Sequence, residues 1–366
     1  MSQNADSRRI AIVVGTRPEI VKLAPVIRIL GSAARFLHTC QHRDEELSGV
    51  FLTGARLPQP ETLSGICGQP RHVQIGRMVE GLGRLFEQRP PAAVLVQGDT
   101  NTVSAAAQAA SYAGAPVVHV EAGLRSHDRA MPEEINRCVT GVLADLHCAP
   151  TGRAVANLRA DGVPSGKIAL TGNTIVEATL GMLPDDAAAR QVTAALGVEP
   201  GQYALATIHR PENTDDPRRL RAILDQLSKL GLPVLLPLHP RTRAAAARHG
   251  LAAALDRLRP VPPADHRTFL ALARHARLLV SDSGGVQEEC TVLKRPLIVV
   301  RNSTERPEAI DAGFAHLVQP GPAIGDLGRR LIGDDGLNER LAGVPSPYGD
   351  GKASQRISAL LAAFLR

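Results

Sequence analysis

The segment IAIVVGTRPEIVKLAPVIRIL at residues 10–30 decides the fold class of this chain. A short apolar run, IAIVV, is followed by a glycine turn and then by helix-forming residues, with Pro18 near their start. Glycine permits a tight turn, and proline suits the first turn of a helix, where a missing N–H costs nothing. The segment therefore predicts a buried strand, a turn and a helix, which is the repeating unit of a parallel α/β sheet.

The same strand–turn–helix pattern recurs along the chain. It is seen in AAVLVQGDTNTVSAAAQAASYAG (92–114), followed by the strand APVVHVEAG (115–123), and it restarts with YALATIHRPEN (203–213) and RLLVSDSGGVQEECTVL (277–293). Because 366 residues exceed what one hydrophobic core usually organises, two domains are expected. We predict an α/β protein with two Rossmann-like doubly wound domains that face each other across a cleft.

Composition narrows the class of function. The net charge is +6, but the arginines are scattered, and only 2% of residues are aromatic, so a nucleic-acid partner is not expected. No apolar run approaches the roughly 20 residues that span a bilayer, and the N-terminus lacks the pattern of a signal peptide, which predicts a cytoplasmic protein without membrane association. The five cysteines form no CxxC pair, so neither disulfides nor a metal site is expected.

Acidic residues follow two neighbouring strands of the first half. Asp99 lies in QGDTNT and Glu121 in HVEAGLRS, and Glu133 opens a helix in MPEEINR. Adjacent parallel strands lie about 4.8 Å apart, so we expect these carboxylates to crowd one sheet edge and to raise the pKa of at least one of them. Taken singly, Asp99 is also explained as a helix cap and Glu133 as a first-turn acid. Their clustering favours catalysis.

Cationic and amide-rich segments predict a phosphate site. Arg17 and Lys22 lie near a predicted helix N-terminus, where phosphate is favoured. An ordinary turn between strand and helix, with both cations exposed to solvent, explains the same residues equally well. In the second half, Ser283-Gly284-Gly285 opens a helix with free N–H groups, and Glu289 about one turn later is suited to accept ribose hydroxyls. His209, at a predicted strand end, is suited to donate to a leaving phosphate.

These segments together resemble the non-hydrolysing UDP-N-acetylglucosamine 2-epimerases, a family with the glycosyltransferase-B architecture. The resemblance rests on GTRPEIVKLAPVI, QGDTNT, HVEAGLRS, MPEEINR, TGNTIVEA, HRPEN, SDSGGVQEE, STERPEA and PYGDGKASQRI, in that order. It implies an N-terminal Rossmann-like domain with the catalytic acids (1–178), a UDP-binding domain (179–345) and a last helix that crosses back (346–366).

The resemblance also implies roles for individual residues. The catalytic positions correspond to Asp99, Glu121, Glu133 and His209. The substrate-binding positions correspond to Arg17, Lys22, Arg137, Phe269, Ser283, Gly284, Gly285, Glu289 and Arg306. The positions that bind an activating second UDP-N-acetylglucosamine in some bacterial members correspond to Gln41, His42, Arg43, Arg210 and His239, whereas Asp44 and the segment 65–81 depart from that pattern.

The activity implied is interconversion of UDP-N-acetylglucosamine and UDP-N-acetylmannosamine, without a metal or other cofactor, by a homodimer. Loss of UDP acidifies the C2 hydrogen, elimination gives 2-acetamidoglucal, and UDP adds back after protonation on the other face. The alternatives are a hydrolysing epimerase that releases UDP and N-acetylmannosamine, a sugar transferase of the same architecture, and a non-catalytic sugar-nucleotide sensor.

Overall fold

The chain divides into two compact units, each built on one parallel sheet. A computed structural model describes residues 9–41, 52 and 57–366. The first unit comprises the chain up to Ala178 together with Tyr348–Arg366, and the second comprises Thr179–Pro347. Among the described residues, no helix has both the length and the apolar character required to cross a membrane.

The first unit alternates strands and helices. Its described elements are β1 (Ile10–Val14), α1 (Arg17–Leu30), β2 (Ala34–His38), β3 (Glu61–Thr62), α2 (Arg71–Gln88), β4 (Ala93–Gln97), α3 (Asn101–Tyr112), β5 (Val117–Val120), α4 (Pro132–Leu143), β6 (Leu146–Ala149), α5 (Gly152–Ala160), β7 (Ile168–Leu170) and α6 (Ile175–Met182), with short 3₁₀ turns at Gly31–Ala33 and Ser165–Lys167. The strands are parallel and lie in the order β3-β2-β1-β4-β5-β6-β7.

Both faces of this sheet are covered, which explains why its strands are apolar throughout. Ile10, Ile12 and Val14 of β1 pack into one buried cluster, and Ala11 and Val13 pack into another. Alternate residues of a strand point to opposite faces, so each face must be covered to bury all five.

The last helix of the chain, α17 (Ala353–Phe364), completes one face of the first sheet. Ile357 and Leu361 of α17 are fully buried and belong to the same cluster as Ile20 and Leu23 of α1. A backbone hydrogen bond anchors the segment before α17, since Asn173 N–H donates to the Tyr348 carbonyl at 2.8 Å. The C-terminal segment is therefore part of the first unit's core.

The second unit repeats the arrangement. It contains α7 (Asp186–Ala195), β8 (Ala204–Thr207), α8 (Pro211–Thr214), α9 (Pro217–Leu227), β9 (Val234–Pro237), α10 (Pro240–Arg248), α11 (Ala252–Asp256), β10 (Arg259–Val261), α12 (His266–His275), β11 (Leu278–Ser281), α13 (Gly284–Leu293), β12 (Leu297–Val300), α14 (Pro307–Asp311), β13 (Ala315–Val318), α15 (Pro322–Ile332) and α16 (Leu337–Ala342). Its parallel strands lie in the order β10-β9-β8-β11-β12-β13.

The strand order reverses between β1 and β4 in the first sheet, and between β8 and β11 in the second. In doubly wound sheets, ligands bind beyond the carboxyl ends of the strands at such a reversal. The predicted fold class of two Rossmann-like doubly wound domains is confirmed. The topology predicts that ligands bind at the loops that follow these four strands.

Candidate active site

In the first unit, two of the predicted acids lie at or next to the point where the strand order reverses. Gly15 follows β1, Asp99 comes two residues after β4, and Glu121 directly follows β5. Since β4 pairs with β1 on one side and with β5 on the other, these three loops leave the sheet at one edge. The sequence prediction that these acids share a sheet edge is consistent with the strand order.

Glu121 forms a buried ion pair with Lys22. The Lys22 Nζ lies 2.5 Å from Glu121 Oε2, and the two side chains are 7% and 2% exposed. Gln97 Nε2 and Asn173 Nδ2 also donate to this carboxylate, at 3.0 and 3.2 Å. The sequence predicts Lys22 as a phosphate ligand, and in the structure its ammonium group forms an ion pair with a catalytic candidate.

The backbone of Glu121 lies in the left-handed region, with φ of 63°. A non-glycine residue in that region costs of order 1–3 kcal/mol, and such residues cluster at functional sites. The conformation turns the side chain off the end of β5, where Lys22, Gln97 and Asn173 hold it. Backbone strain and a buried ion pair at one residue favour a functional role over a packing role.

Asp99 is held by a second cation. Arg137 donates to Asp99 Oδ2 from Nε at 3.0 Å and from Nη2 at 2.6 Å, and it also pairs with Glu134 at 2.5 Å. Asn136 donates to the Asp99 carbonyl at 2.8 Å. The helix cap that would explain Asp99 structurally is provided by Thr100, whose hydroxyl accepts from Val103 N–H. The structural explanation of Asp99 as a helix cap therefore does not apply.

Glu133 lies in the first turn of α4, next to Glu134. Its side chain is half-buried and has no hydrogen bond or ion pair with any described residue. Glu134, by contrast, is buried and accepts from Ser126 N–H and His127 N–H, both at 3.0 Å. Of this pair, Glu134 is the structural acid and Glu133 is the one whose oxygens remain open to a ligand.

The carboxyls at this edge of the sheet differ in their surroundings. Asp99 and Glu121 each have a cationic partner, so crowding of unpaired carboxylates is not what the structure contains. Burial raises the pKa of Glu19 to about 7. Hydrogen bonds that its carboxylate accepts from Thr16 Oγ1, Gly15 N–H and Thr100 Oγ1 oppose this rise. Glu19 ties the loop after β1 to the loop after β4, while Arg17 lies half-buried at the start of α1.

His119 on β5 supports the Asp99 loop from inside the sheet. Its Nε2 lies 2.8 Å from the carbonyl of Gly98, the residue before Asp99, and the ring is 1% exposed. Gly98 has φ of 82°, a conformation that favours glycine, so the turn that carries Asp99 depends on this residue and its anchor. Burial lowers the pKa of His119 to about 3, which keeps the ring neutral near pH 7.

This buried histidine predicts destabilisation by acid. The unfolded chain binds a proton at His119 below its ordinary pKa of 6.5, whereas the folded protein does so only near 3, so stability is fully present above that ordinary pKa and is lost as pH falls toward 3. We expect His119 to remove about 2 kcal/mol from the free energy of unfolding between about pH 7 and about pH 5. Urea unfolding at both pH values measures this loss.

A His119→Gln variant isolates the contribution, because burial also lowers the pKa of the neighbouring His147, to about 4. The variant should show a shallower pH dependence than the wild type by about 2 kcal/mol over the same interval. Parallel pH profiles for the two proteins would contradict the assignment.

In the second unit, a helix N-terminus follows β11. Ser283 caps α13, and Gly284 and Gly285 form its first turn. A Cβ on Gly284 would lie 2.9 Å from Arg306 Nη1, whereas one on Gly285 would meet no described atom within 4 Å. Arg306 is buried and is paired with Glu288 at 2.7 Å and with Glu305. The Arg306 guanidinium therefore lies close against Gly284, whereas the space beside Gly285 is open.

Glu289 lies further along α13 and contacts a residue that sequence reasoning missed. His266 Nε2 lies 2.7 Å from Glu289 Oε1, and the two side chains are 15% and 7% exposed. Phe269, the residue predicted near uracil, is half-buried one turn after His266 on α12.

His209 lies beyond β8, and Asp282 holds its loop in place. The buried Asp282 carboxylate accepts from His209 N–H at 3.0 Å, from Arg210 N–H at 2.9 Å and from Asn213 Nδ2 at 3.1 Å. The His209 side chain is 36% exposed and its Nδ1 lies 3.5 Å from Asp282. Burial lowers the pKa of His209 despite the neighbouring Asp282 charge, so the ring is a neutral hydrogen-bonding group near pH 7.

The residues predicted to bind an activator are placed as follows. The His239 ring stacks on the His209 ring at 5.2 Å between centroids, and Arg210 donates its N–H to Asp282. Gln41 is buried in the first unit, where its Oε1 accepts from Thr102 N–H at 2.9 Å. His42, Arg43 and Asp44 lie outside the described residues.

Several contact residues escaped the sequence analysis, namely Glu19, Gln97, Asn136, Asn173, His266 and Asp282. Five of these lie in quoted motifs: Glu19 in GTRPEIVKLAPVI, Gln97 in QGDTNT, Asn136 in MPEEINR, Asn173 in TGNTIVEA and Asp282 in SDSGGVQEE. Membership of a motif that carries the family resemblance was the available signal for these five residues. For His266 the sequence offers no such signal, because 23 residues separate it from its partner.

Comparison with known proteins identifies a family. The family model described as UDP-N-acetylglucosamine 2-epimerase matches residues 31–362. A relative named UDP-N-acetylglucosamine 2-epimerase from Methanocaldococcus jannaschii is 37% identical over 96% of this chain and 98% of its own length. A relative from Pseudomonas aeruginosa, named UDP-2,3-diacetamido-2,3-dideoxy-D-glucuronate 2-epimerase, is 34% identical over 97% of this chain and 99% of its own length.

A solved structure supports the same family assignment. The Methanocaldococcus jannaschii UDP-GlcNAc 2-epimerase in complex with UDP-GlcNAc and UDP superposes with a TM-score of 0.88 at 36% identity, covering 97% of this chain and 99% of that one.

Proposed function

The chain belongs to the UDP-N-acetylglucosamine 2-epimerase family, and on that premise we propose that it interconverts UDP-N-acetylglucosamine and UDP-N-acetylmannosamine without net hydrolysis. The observation that carries the proposal is Glu121, a strained, buried carboxylate at a sheet edge, paired with Lys22 at 2.5 Å. A binding module has no need of such a group, whereas a reaction that moves a proton at carbon does.

The first unit supplies the proposed proton-transfer groups. We assign Asp99, Glu121 and Glu133 to movement of the C2 proton, with Lys22 and Arg137 holding the first two in position. Two of these carboxylates are anchored and one is open, an arrangement that suits the delivery and removal of a proton on different faces of a sugar.

The second unit supplies the proposed UDP-binding groups. The N–H groups of Ser283, Gly284 and Gly285 suit phosphate oxygens, because a helix N-terminus favours negative charge. Arg306 adds positive charge, Glu289 accepts ribose hydroxyls, and Phe269 packs near uracil. Arg17 of the first unit is proposed as a further cationic contact of UDP. Neutral His209 donates a hydrogen bond to the departing phosphate oxygen.

The proposed reaction balances without an added reactant. The C1–O bond breaks with its electron pair leaving on the UDP oxygen, and a carboxylate takes the C2 proton as the C1–C2 double bond forms. A proton is then delivered to the opposite face of C2, and the UDP oxygen bonds to C1 again. Retention of UDP and 2-acetamidoglucal distinguishes this route from hydrolysis.

The proposal is tested by incubating the purified chain with UDP-N-acetylglucosamine alone in deuterated water. We expect UDP-N-acetylmannosamine that carries deuterium at C2, detected by proton NMR and mass spectrometry. Product without deuterium would contradict proton transfer at C2.

Accumulation of UDP and free N-acetylmannosamine in the same tube would instead identify the hydrolysing reaction. UDP-2,3-diacetamido-2,3-dideoxy-D-glucuronate is tested as a second compound, because a relative named for that sugar is 34% identical. Turnover of that sugar in place of UDP-N-acetylglucosamine would keep the reaction class and reassign the substrate.

The remaining parts of the proposal concern assembly and location. We propose a cytoplasmic protein, as the sequence pattern predicts, and a homodimer, as the family resemblance implies. Light scattering on the purified chain measures the mass of the assembly. Activation by a second substrate molecule through Gln41, Arg43, Arg210 and His239 is a separate proposal, tested by adding UDP-N-acetylglucosamine when the reaction starts from the manno epimer.

A further inference from the structure

We propose that His266 is a positioning residue that holds Glu289 ready to accept the hydroxyl groups of ribose. The inference rests on the proposed function, in which Glu289 binds the ribose of UDP. It assigns a role to a residue that neither the motifs nor the family resemblance singled out.

The contact between the two side chains has a defined direction. A carboxylate only accepts hydrogen bonds, so the His266 Nε2–H is the donor across the 2.7 Å to Glu289 Oε1. The other ring nitrogen, Nδ1, is buried without a hydrogen-bond partner among the described residues. The ring therefore has one polar function in this setting, which is to bind Glu289.

The local structure fixes His266 before any ligand arrives. His266 is the first residue of α12, and the preceding Asp265 caps that helix by accepting from Thr268 N–H at 2.7 Å. Phe269 lies one turn later on the same helix. Residues three apart lie on the same helix face, so α12 presents the glutamate's partner and the proposed uracil contact side by side.

A fixed carboxylate binds a diol better than a mobile one. Glu289 offers about four lone-pair directions, and His266 uses one of them, which leaves enough for two ribose hydroxyls. Immobilising a flexible side chain in advance lowers the entropic cost of binding. His266 should thus affect affinity for the nucleotide, and its selectivity for ribose over deoxyribose, rather than the chemical step.

The test compares binding of UDP and 2′-deoxy-UDP to the full chain by calorimetry. We expect the wild type to prefer UDP by at least about tenfold, since a site built around a hydroxyl rejects the analogue that lacks it. His266→Leu should reduce the preference for UDP about fivefold. His266→Gln, which retains an N–H donor, should show a smaller reduction. In turnover, His266→Leu should raise KM and leave kcat unchanged.

Three further variants separate the possible outcomes. Arg267→Gln alters the exposed neighbour of His266 and should behave as the wild type. Glu289→Gln should lose the preference for UDP, and adding His266→Leu to it should cost nothing more.

Unchanged selectivity in Glu289→Gln would overturn the ribose assignment itself. Lost selectivity in Glu289→Gln with full selectivity in both His266 variants would overturn the inference alone. If His266→Leu does not fold, His266→Ala, which also lacks the N–H donor, takes its place. Wild-type kcat with a raised KM supports positioning, and wild-type values for both overturn it.

Discussion

Replacing Glu121 with Gln is expected to lower kcat by about 10²- to 10⁴-fold while leaving the affinity for UDP nearly unchanged. The substitution keeps the shape of the side chain and its contacts with Gln97 and Asn173, but it removes the carboxylate that accepts or returns the proton. The measurement pairs steady-state turnover with calorimetric binding of UDP. Loss of turnover with intact binding also excludes a non-catalytic sensor.

The same variant leaves the Lys22 ammonium buried without its carboxylate partner, which is expected to cost about 3–5 kcal/mol of stability. Turnover must therefore be measured well below the melting temperature of the variant. A Lys22→Met, Glu121→Gln double variant removes both charges and should recover much of the stability without recovering turnover. This separates the catalytic role of the carboxylate from its structural role.

Glu61→Gln is a matched control, because Glu61 is a carboxylate of the same unit that pairs with Arg35 at 2.8 Å at the outer edge of the sheet. It should keep wild-type turnover. Equal activity in Glu121→Gln and Glu61→Gln would remove Glu121 from the mechanism.

The sequence predicted the fold because local patterns specify it. Runs such as IAIVV are apolar at every position, which only a strand covered on both faces requires, and each is followed by a turn and a helix. From alternating strands and helices, the parallel sheets and the placement of Asp99, Glu121 and His209 beyond strand ends follow directly.

The pairing of charged side chains was not predictable in the same way. Lys22 and Glu121 are 99 residues apart, and His266 and Glu289 are 23 apart. Whether such residues meet depends on strand order and on the rotation of a helix about its axis, neither of which a local pattern fixes. The sequence predicts Lys22 as a phosphate ligand, and it offers no local signal for the ion pair that Lys22 forms with Glu121.

Replacing Asp282 with Asn is expected to reduce both stability and turnover, because one buried carboxylate organises the whole loop that carries His209. The amide offers a single acceptor atom where the carboxylate accepts from His209 N–H, Arg210 N–H and Asn213 Nδ2. Each hydrogen bond to a charged acceptor contributes about 1.5–3 kcal/mol, so we expect a loss of about 2–4 kcal/mol in the free energy of unfolding. Displacement of His209 should lower kcat by about 10- to 100-fold.

A spectroscopic measurement shows whether the effect runs through His209. Burial lowers the pKa of His209, and the Asp282 charge opposes that shift, so its removal should lower this pKa further. Titration of the His209 ring by NMR, in wild type and variant, measures the change. Asp216→Asn is the matched control, since Asp216 also accepts from two backbone N–H groups, of Arg218 and Arg219, but caps α9, and Asn caps a helix equally well. If Asp282→Asn lost stability while kcat and the His209 titration stayed at wild-type values, Asp282 would be a structural residue and His209 would owe its position to other contacts.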